Sequence, residues 1–463
     1  MGKRTAVYEI IGGNTMQKNL RLTILVLSLL SVLLFVLIVG PEINGTIEAA
    51  NGNGNSLKSE GKQGDAGSSQ SAVSSGTQGE GAAAGGSAEL PPNHVDSSKE
   101  PTDSAIDKDE GLKDVTDEIL EPDVTFELKY DQYPLTYLYL AVLNNGAKIR
   151  SGPGGAEPVI RTAGQNEKLN YLETITNDGL WYHVTWNDKD QQKFGFVSAD
   201  AVTKRVFQFN KMDLAVQKAE KAFAAGPLTY INNYHNLKGN APKYKGKDQD
   251  NGGNRRSQSA PGYPNPADLS EFSYLGDGTL VRILSTGSEY TRVAQVKDEK
   301  VFFVPNQYVA MPAAVYQIGK AIIIDRENQN EAVFEKIGDQ WRVISYTLAT
   351  TGKVGTYHQP TPLGYYYAME KRERFYYYED GTTKIQGYAP YAVRFAGGAY
   401  VHGVPVNYKF ASDGSRIDPG KIEYSKTLGT VPLSHKCVRN YTSHAKFLYD
   451  WYTPGNTIVI VIE

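Results

Sequence analysis

The chain has 463 residues, 40% hydrophobic and 21% charged, with a formal net charge of −3 and a single cysteine. That length holds roughly two to four domains, and about 150 residues already suffice for a sizeable core. One cysteine excludes an internal disulfide framework, paired Cys-x-x-Cys zinc ribbons and dithiol redox motifs.

The near-neutral total hides segregation. Residues 1–21 carry Lys3, Arg4, Lys18 and Arg21 against Glu9. Leu22 to Val39 is an uncharged apolar run of 18 residues, long enough for one transmembrane helix over 22–40. By the positive-inside bias the N-terminus stays cytoplasmic and everything after Gly40 is exported. A cleaved signal peptide, cut near Ile47–Ala50, is the competing reading. From Pro41 to Glu127 the charge balance is −13, and from Leu128 onward it is +7. A basic head outside a membrane is a candidate for anionic polymers, although an ordinary solvated surface carries such a charge as well. No nucleic-acid partner is expected.

Residues 41–125 contain no aromatic side chain and are rich in Gly, Ser, Ala, Asp and Glu. Such a stretch cannot bury enough apolar surface to offset ordering entropy, which predicts a disordered acidic linker. Its root-mean-square span would be roughly 50 Å. At Phe126 the composition changes to short Val, Ile, Tyr and Thr runs between Gly, Asn and Asp turns, which reads as mainly β.

The first folded unit spans 137–205. Ala147-Lys148-Ile149-Arg150 leads into the turn Ser151-Gly152-Pro153-Gly154. Gly179-Leu180-Trp181-Tyr182-His183-Val184 and Gly195-Phe196-Val197 follow. This series resembles a bacterial SH3 domain. Asn210 to Gly226 then reads as one helix, with Asn210 as N-cap, Asp213 three residues on, and Gly226-Pro227 as the stop. The rest of 206–311 contains Leu280–Leu284, Glu289–Val293 and Phe302–Pro305. These align loosely with the later SH3 strands and predict a diverged second SH3-like region with a long loop over 243–266. The bland reading is an irregular β extension of the last domain.

The chemistry-bearing residues lie in 314–463. His402-Gly403 ends an aromatic-rich strand, and Ser434-His435-Lys436-Cys437-Val438-Arg439-Asn440 holds the lone cysteine. A thiol has a pKa near about 8.5, and an imidazolium partner lowers it so that the nucleophilic thiolate dominates at neutral pH. A lone Cys with a His is by itself weak evidence, because buried cysteines are common. A zinc site from His402, His435, Cys437 and His444 competes for the same side chains, since imidazole and thiolate both suit zinc.

In its residues and their order this region resembles the L,D-transpeptidase (YkuD-type) catalytic domain, whose motif is His-Gly, a spacer, then Ser/Thr-His-Gly-Cys. Supporting elements occur in order: Ala321–Asp325, Thr350-Thr351-Gly352-Lys353, Thr361-Pro362-Leu363-Gly364, Pro390–Phe395, Leu428-Gly429 and Gly455–Ile460. The resemblance implies a mainly β protein, with small SH3-like barrels before a β-rich YkuD-type domain and behind one transmembrane helix. It implies a membrane-anchored enzyme acting on peptidoglycan stem peptides at the bacterial cell wall, with no metal or other cofactor. Cys437 would be the nucleophile and His402 the general base, with the Gly403 carbonyl orienting the imidazole. A Cys437 thioester would then be resolved by the amine of a second stem, giving a 3→3 cross-link. Backbone N–H groups at Cys437 and its neighbours would hold the oxyanion. Ser434 and His435 would shape the site, and Arg439 would bind a substrate carboxylate or brace the loop.

Two departures stand out. Lys436 occupies the family's Gly position, and a left-handed backbone there would strain a lysine. The 35-position separation of His402 and Cys437 is long, and the extra segment around 410–426 reads as an inserted loop near the cleft, a candidate lid. The alternatives are an L,D-carboxypeptidase and a non-catalytic wall-binding protein whose active-site loop Lys436 has altered. His444, on an amphipathic stretch after the Cys loop, reads as a helix-surface or packing residue rather than a catalytic one. His235 and His358 sit in loops without an evident partner.

Overall fold

The run Ala321-Ile322-Ile323-Ile324 is apolar without alternation, as expected of a strand covered on both faces. The computed structural model, which describes residues 122–463 apart from 134, 190, 312 and 313, shows that arrangement. Lys320–Asp325 is central in a six-stranded sheet, beside Asn330–Ile337 on one edge and, in parallel, the C-terminal strand Thr457–Ile462 on the other. Gln340–Leu348 and Gly364–Tyr367 extend the sheet outward. One face, with Ile322, Ile324, Val333 and Val459, packs on a second sheet through Val393, Phe395, Val401 and Val438. The second sheet runs Glu370–Tyr378, Ile385–Ala396, Ala399–His402 and Val438–Arg439.

The other face, with Ala321, Ile323, Phe334 and Val343, is covered by the helix Phe209–Ala224 through Phe209, Met212, Val216 and Ala219. This helix differs at its start from the expected one. Gln208, not Asn210, occupies the N-cap position and makes no side-chain cap bond. Asn210 Oδ1 instead accepts the Asp123 amide at 2.8 Å, and Asp213 pairs with Gln217. The chain just before the first unit is equally committed: Thr125–Phe126 forms a parallel edge strand against Arg342 and Val343.

The first unit is a seven-stranded sheet around Leu140, Ile149, Leu169, Val184 and Val197, all fully buried. Its Tyr139 joins the helix core of the last domain. The next unit has a four-stranded sheet from Leu228–Tyr230, Leu280–Thr286, Tyr290–Gln295 and Val301–Pro305, with its own core of Ile231, Leu275, Val281 and Val293. The stretch expected to be a long loop over 243–266 is partly ordered as strand, since Ser259–Gly262 pairs with Ser273–Gly276.

The 22–40 run and the 41–121 part of the linker lie outside the described residues. Among the described residues, no helix is long and apolar enough to cross a membrane.

Two predictions follow from this packing. Met212 is fully buried in the helix core, so Met212→Ala should cost about 2–5 kcal/mol, read as a lowered urea midpoint. Glu331 is fully buried, and burial raises its carboxyl from 4.5 to about 8. Between those values the folded chain holds a proton that the unfolded chain releases, so stability falls as pH rises. Glu331→Gln removes that loss. Its thermal midpoint should exceed the wild type's by a margin that grows from pH 5 to pH 8.

Candidate active site

The His-Gly and Cys stretches come side by side because two short strands pair in parallel. Val401 lies opposite Val438, and His402 opposite Arg439. Cys437 therefore sits one step before the paired strand, next to the turn that precedes Tyr400. Its thiol donates to the Gly398 carbonyl at 3.7 Å.

His402 is 4% exposed. Its Nδ1–H donates to the Gly403 carbonyl at 2.6 Å, which leaves the Nε2 lone pair as the free end of the ring. Gly403 is close-packed: a Cβ there would meet Thr442 Oγ1 at 2.7 Å and Pro390 Cγ at 3.0 Å. Burial pulls the His402 imidazole down to about 4; the Gly403 carbonyl opposes this and Arg439 adds to it. Burial pushes the Cys437 thiol upward, opposed by the Tyr400 amide, Arg439 and Lys436. Both shifts favour the neutral imidazole and the thiol over the imidazolium–thiolate pair expected from the residue types, because desolvation penalises both charged forms.

The Cys loop is clamped by the two stretches that the sequence singled out. Ser434 N and Leu433 N donate to the Thr351 carbonyl at 3.0 and 2.9 Å. Thr350 N donates to the Arg439 carbonyl, and Arg439 N to the Thr350 carbonyl, each at 3.0 Å. Thr361 Oγ1 accepts from Gly352 N and donates to the Lys436 carbonyl, at 2.8 and 2.9 Å. Ser434 Oγ donates to the Cys437 carbonyl, closing the turn from inside.

Lys436 is not among the non-glycine residues with positive φ. The strain expected at a lysine in a glycine position is absent, because the backbone there is not left-handed. Arg439 is braced through its backbone, while its buried Nε has no hydrogen-bond partner and its guanidinium no ion pair to a described residue. His435 turns away from Cys437: its Nε2 lies 2.7 Å from Asp380 Oδ1, and its ring stacks on His358 at 4.0 Å. That grouping does not match the zinc alternative. Among the described residues, the three side chains with ligand atoms near one another are His358, Asp380 and His435, without Cys437 or His402. Neither His358 nor Asp380 carried a sequence signal, since both come from loops distant in the chain. His444 is fully buried, 3.1 Å from Ser345 Oγ, so of the two expected positions it takes the packing one and not the helix surface.

The 410–426 segment is anchored at three points. Asp418 pairs with Arg374 at 3.0 Å, Glu423 accepts the Thr442 and Ser443 region at the start of the helix Thr442–Trp451, and the Lys426 carbonyl accepts Lys168 Nζ at 2.7 Å. These contacts make the segment, a candidate lid by its sequence, a brace between the first unit and the last domain.

Residues 319–461 match the family model of the L,D-transpeptidase catalytic domain, YkuD. The last domain is thus similar to L,D-transpeptidase catalytic domains. Residues 145–203 match the bacterial SH3 domain, and neither match reaches 206–311. No curated protein matches the chain. Solved structures that share similarity include a fused Zn-dependent amidase/peptidase/peptidoglycan-binding domain-containing protein from Clostridium acetobutylicum. It is 22% identical over 31% of this chain and 52% of that one, with a TM-score of 0.22. The chain thus spans about half of that relative. An L,D-transpeptidase from Mycobacterium smegmatis is 19% identical over 40% and 82%, with a TM-score of 0.24. L,D-transpeptidase 3 from Mycobacterium tuberculosis is 18% identical over 35% and 74%, with a TM-score of 0.23. Scores this low bear on neither the site nor its chemistry.

Gly352 offers a test of the clamp. A Cβ there would meet the Gln359 carbonyl oxygen at 2.2 Å and Lys436 Cα at 2.9 Å. Gly352→Ala should therefore displace the Cys loop. The expected outcome is at least a tenfold slower acylation of Cys437 by a carbapenem, read by intact-protein mass spectrometry, with the far-UV spectrum unchanged.

Proposed function

We propose that this chain is a peptidoglycan L,D-transpeptidase that forms 3→3 cross-links, with Cys437 as nucleophile and His402 as general base. The observation that supports the reading is the parallel pairing of the strand ending in His402, whose Nδ1 is already occupied, with the strand that begins one residue after the half-buried Cys437, in a region that matches this family's model.

The neutral pair defines the steps. As the substrate carbonyl arrives, the Cys437 proton passes to His402 Nε2 and Sγ attacks the carbonyl carbon of the third stem residue. Backbone N–H groups at Cys437 and its neighbours, with the unpaired Arg439 nearby, stabilise the oxyanion. Collapse breaks the amide bond, and the departing D-Ala amine takes the proton from His402. A thioester remains. The side-chain amine of a second stem attacks it, His402 accepts the amine proton, and the returning proton restores the thiol. The apolar run Leu22–Val39 with its basic flank supports a single-pass anchor, N-terminus cytoplasmic, that places the catalytic domain at the wall.

Incubation with disaccharide tetrapeptides should yield cross-linked dimers by mass spectrometry, and Cys437→Ala should abolish them. Full product from Cys437→Ala would sink the mechanism, and tripeptide as the sole product would make the enzyme a carboxypeptidase. The pH dependence is equally specific. His402 accepts a proton only when neutral, so the acid limb of carbapenem acylation should lie near pH 4, well below the ordinary imidazole value of 6.5. The rate should hold or rise through neutrality toward alkaline pH, because the thiol is raised rather than lowered.

A further inference from the structure

The Cys loop has a second side. The main cavity beside it, about 420 Å³, has Tyr274 and Phe302 of the middle unit on one wall and Pro362 and Tyr366 of the catalytic domain on the other. Lys436 lies at the seam. It also lines a small adjoining space with Gln258 and Gly397. Gly397 belongs to the same turn as Gly398, whose carbonyl receives the Cys437 thiol. The cavity and the nucleophile are therefore linked through one residue.

The charges in this cavity are unevenly satisfied. Lys300 pairs with Asp298 at 3.0 Å, and Arg326 with Glu463 at 2.7 Å. Lys436 forms no ion pair with a described residue. The carboxylate that acts on it, Asp277, is already committed: its oxygens bond Arg394 Nη1 and Asn233 N, each at 2.8 Å. Burial pulls the Lys436 ammonium down to about 8. A half-buried ammonium without a counter-charge of its own is unfavourable. It would be relieved by a ligand that brings the missing negative charge, and a charge-assisted hydrogen bond is the strong kind.

We propose that this cavity binds a carboxylate of the peptide substrate against Lys436, so that the middle unit forms part of the substrate site. The inference rests on the reading of the chain as an enzyme of stem peptides. It gives the lysine in the glycine position a recognition role and makes 206–311 more than a spacer. The middle unit supplies Tyr274 and Phe302 as the apolar wall for the peptide's methyl and methylene groups, and the catalytic loop supplies the charge.

The test is direct binding of labelled tetrapeptide to the full chain bearing Cys437→Ala, which needs no turnover. The peptide is used with its carboxylates free and with each non-terminal carboxylate amidated in turn. One amidation should weaken binding about tenfold or more, the size expected for a lost charge-assisted bond. Adding Lys436→Met should weaken the free peptide to the same degree and erase the difference, whereas Lys436→Arg should keep it. Equal binding of all peptides, or a preference that survives Lys436→Met, overturns the proposal. The amidated peptides test it without a lysine variant, so a folding defect in Lys436→Met does not protect it. If turnover is absent while the preference holds, the transpeptidase reading falls and the site stands. If turnover is present and the preference is missing, the site falls alone.

Discussion

The candidate active site depends on two residue pairs of parallel backbone, Val401 with Val438 and His402 with Arg439. Parallel neighbours cannot be joined by a tight turn, so a long connection between them is a requirement of the geometry. The connection here is used structurally. It carries the 410–426 brace, which ties the start of the Thr442–Trp451 helix and the Lys168 side chain of the first unit to the catalytic domain. The pairing is held from behind by apolar contact between the two sheets and from the side by Thr350 and Thr361.

The same burial that fixes the pair also sets its charge state. Both His402 and Cys437 are favoured neutral, and the two cations beside them, Arg439 and Lys436, have no carboxylate of their own. A site arranged in this way is short of negative charge until a substrate arrives. Charge that develops on a substrate oxygen, or is carried on a substrate carboxylate, finds donors already in place and little water to displace.

The units are joined more closely than separate beads on a chain. Tyr139 of the first unit, Leu228 and Leu280 of the middle unit, the helix Phe209–Ala224 and one face of the catalytic sheet share one apolar core. Asp277 of the middle unit pairs with Arg394 of the catalytic domain at 2.8 Å, and the Gly278 carbonyl accepts the Tyr367 amide at 2.9 Å. Gly278 is a position where only glycine fits, since a Cβ would come within 1.9 Å of the Phe395 carbonyl oxygen. Such contacts hold the middle unit against the loop that carries Lys436.

Local signals reached a long way in this protein. Alternating runs and turn residues placed the strands around Ile149, Val184 and Val197. The Ala321–Asp325 run marked an element of the last domain, and the His-Gly and Ser-His-Lys-Cys stretches marked segments that the fold brings side by side. These are properties of neighbouring residues, and a side-chain period or a motif is written in consecutive positions. Four features lay beyond that reach: Thr125–Phe126 as an edge strand, the capping of the Phe209 helix, the stacking of His358 on His435, and the cavity that Lys436 shares with Tyr274 and Phe302. Each joins segments far apart in the chain or depends on how deeply a group is desolvated. The charge state of His402 and Cys437 belongs with them, because residue identity determines what can ionise while tertiary packing decides how much water remains to permit it.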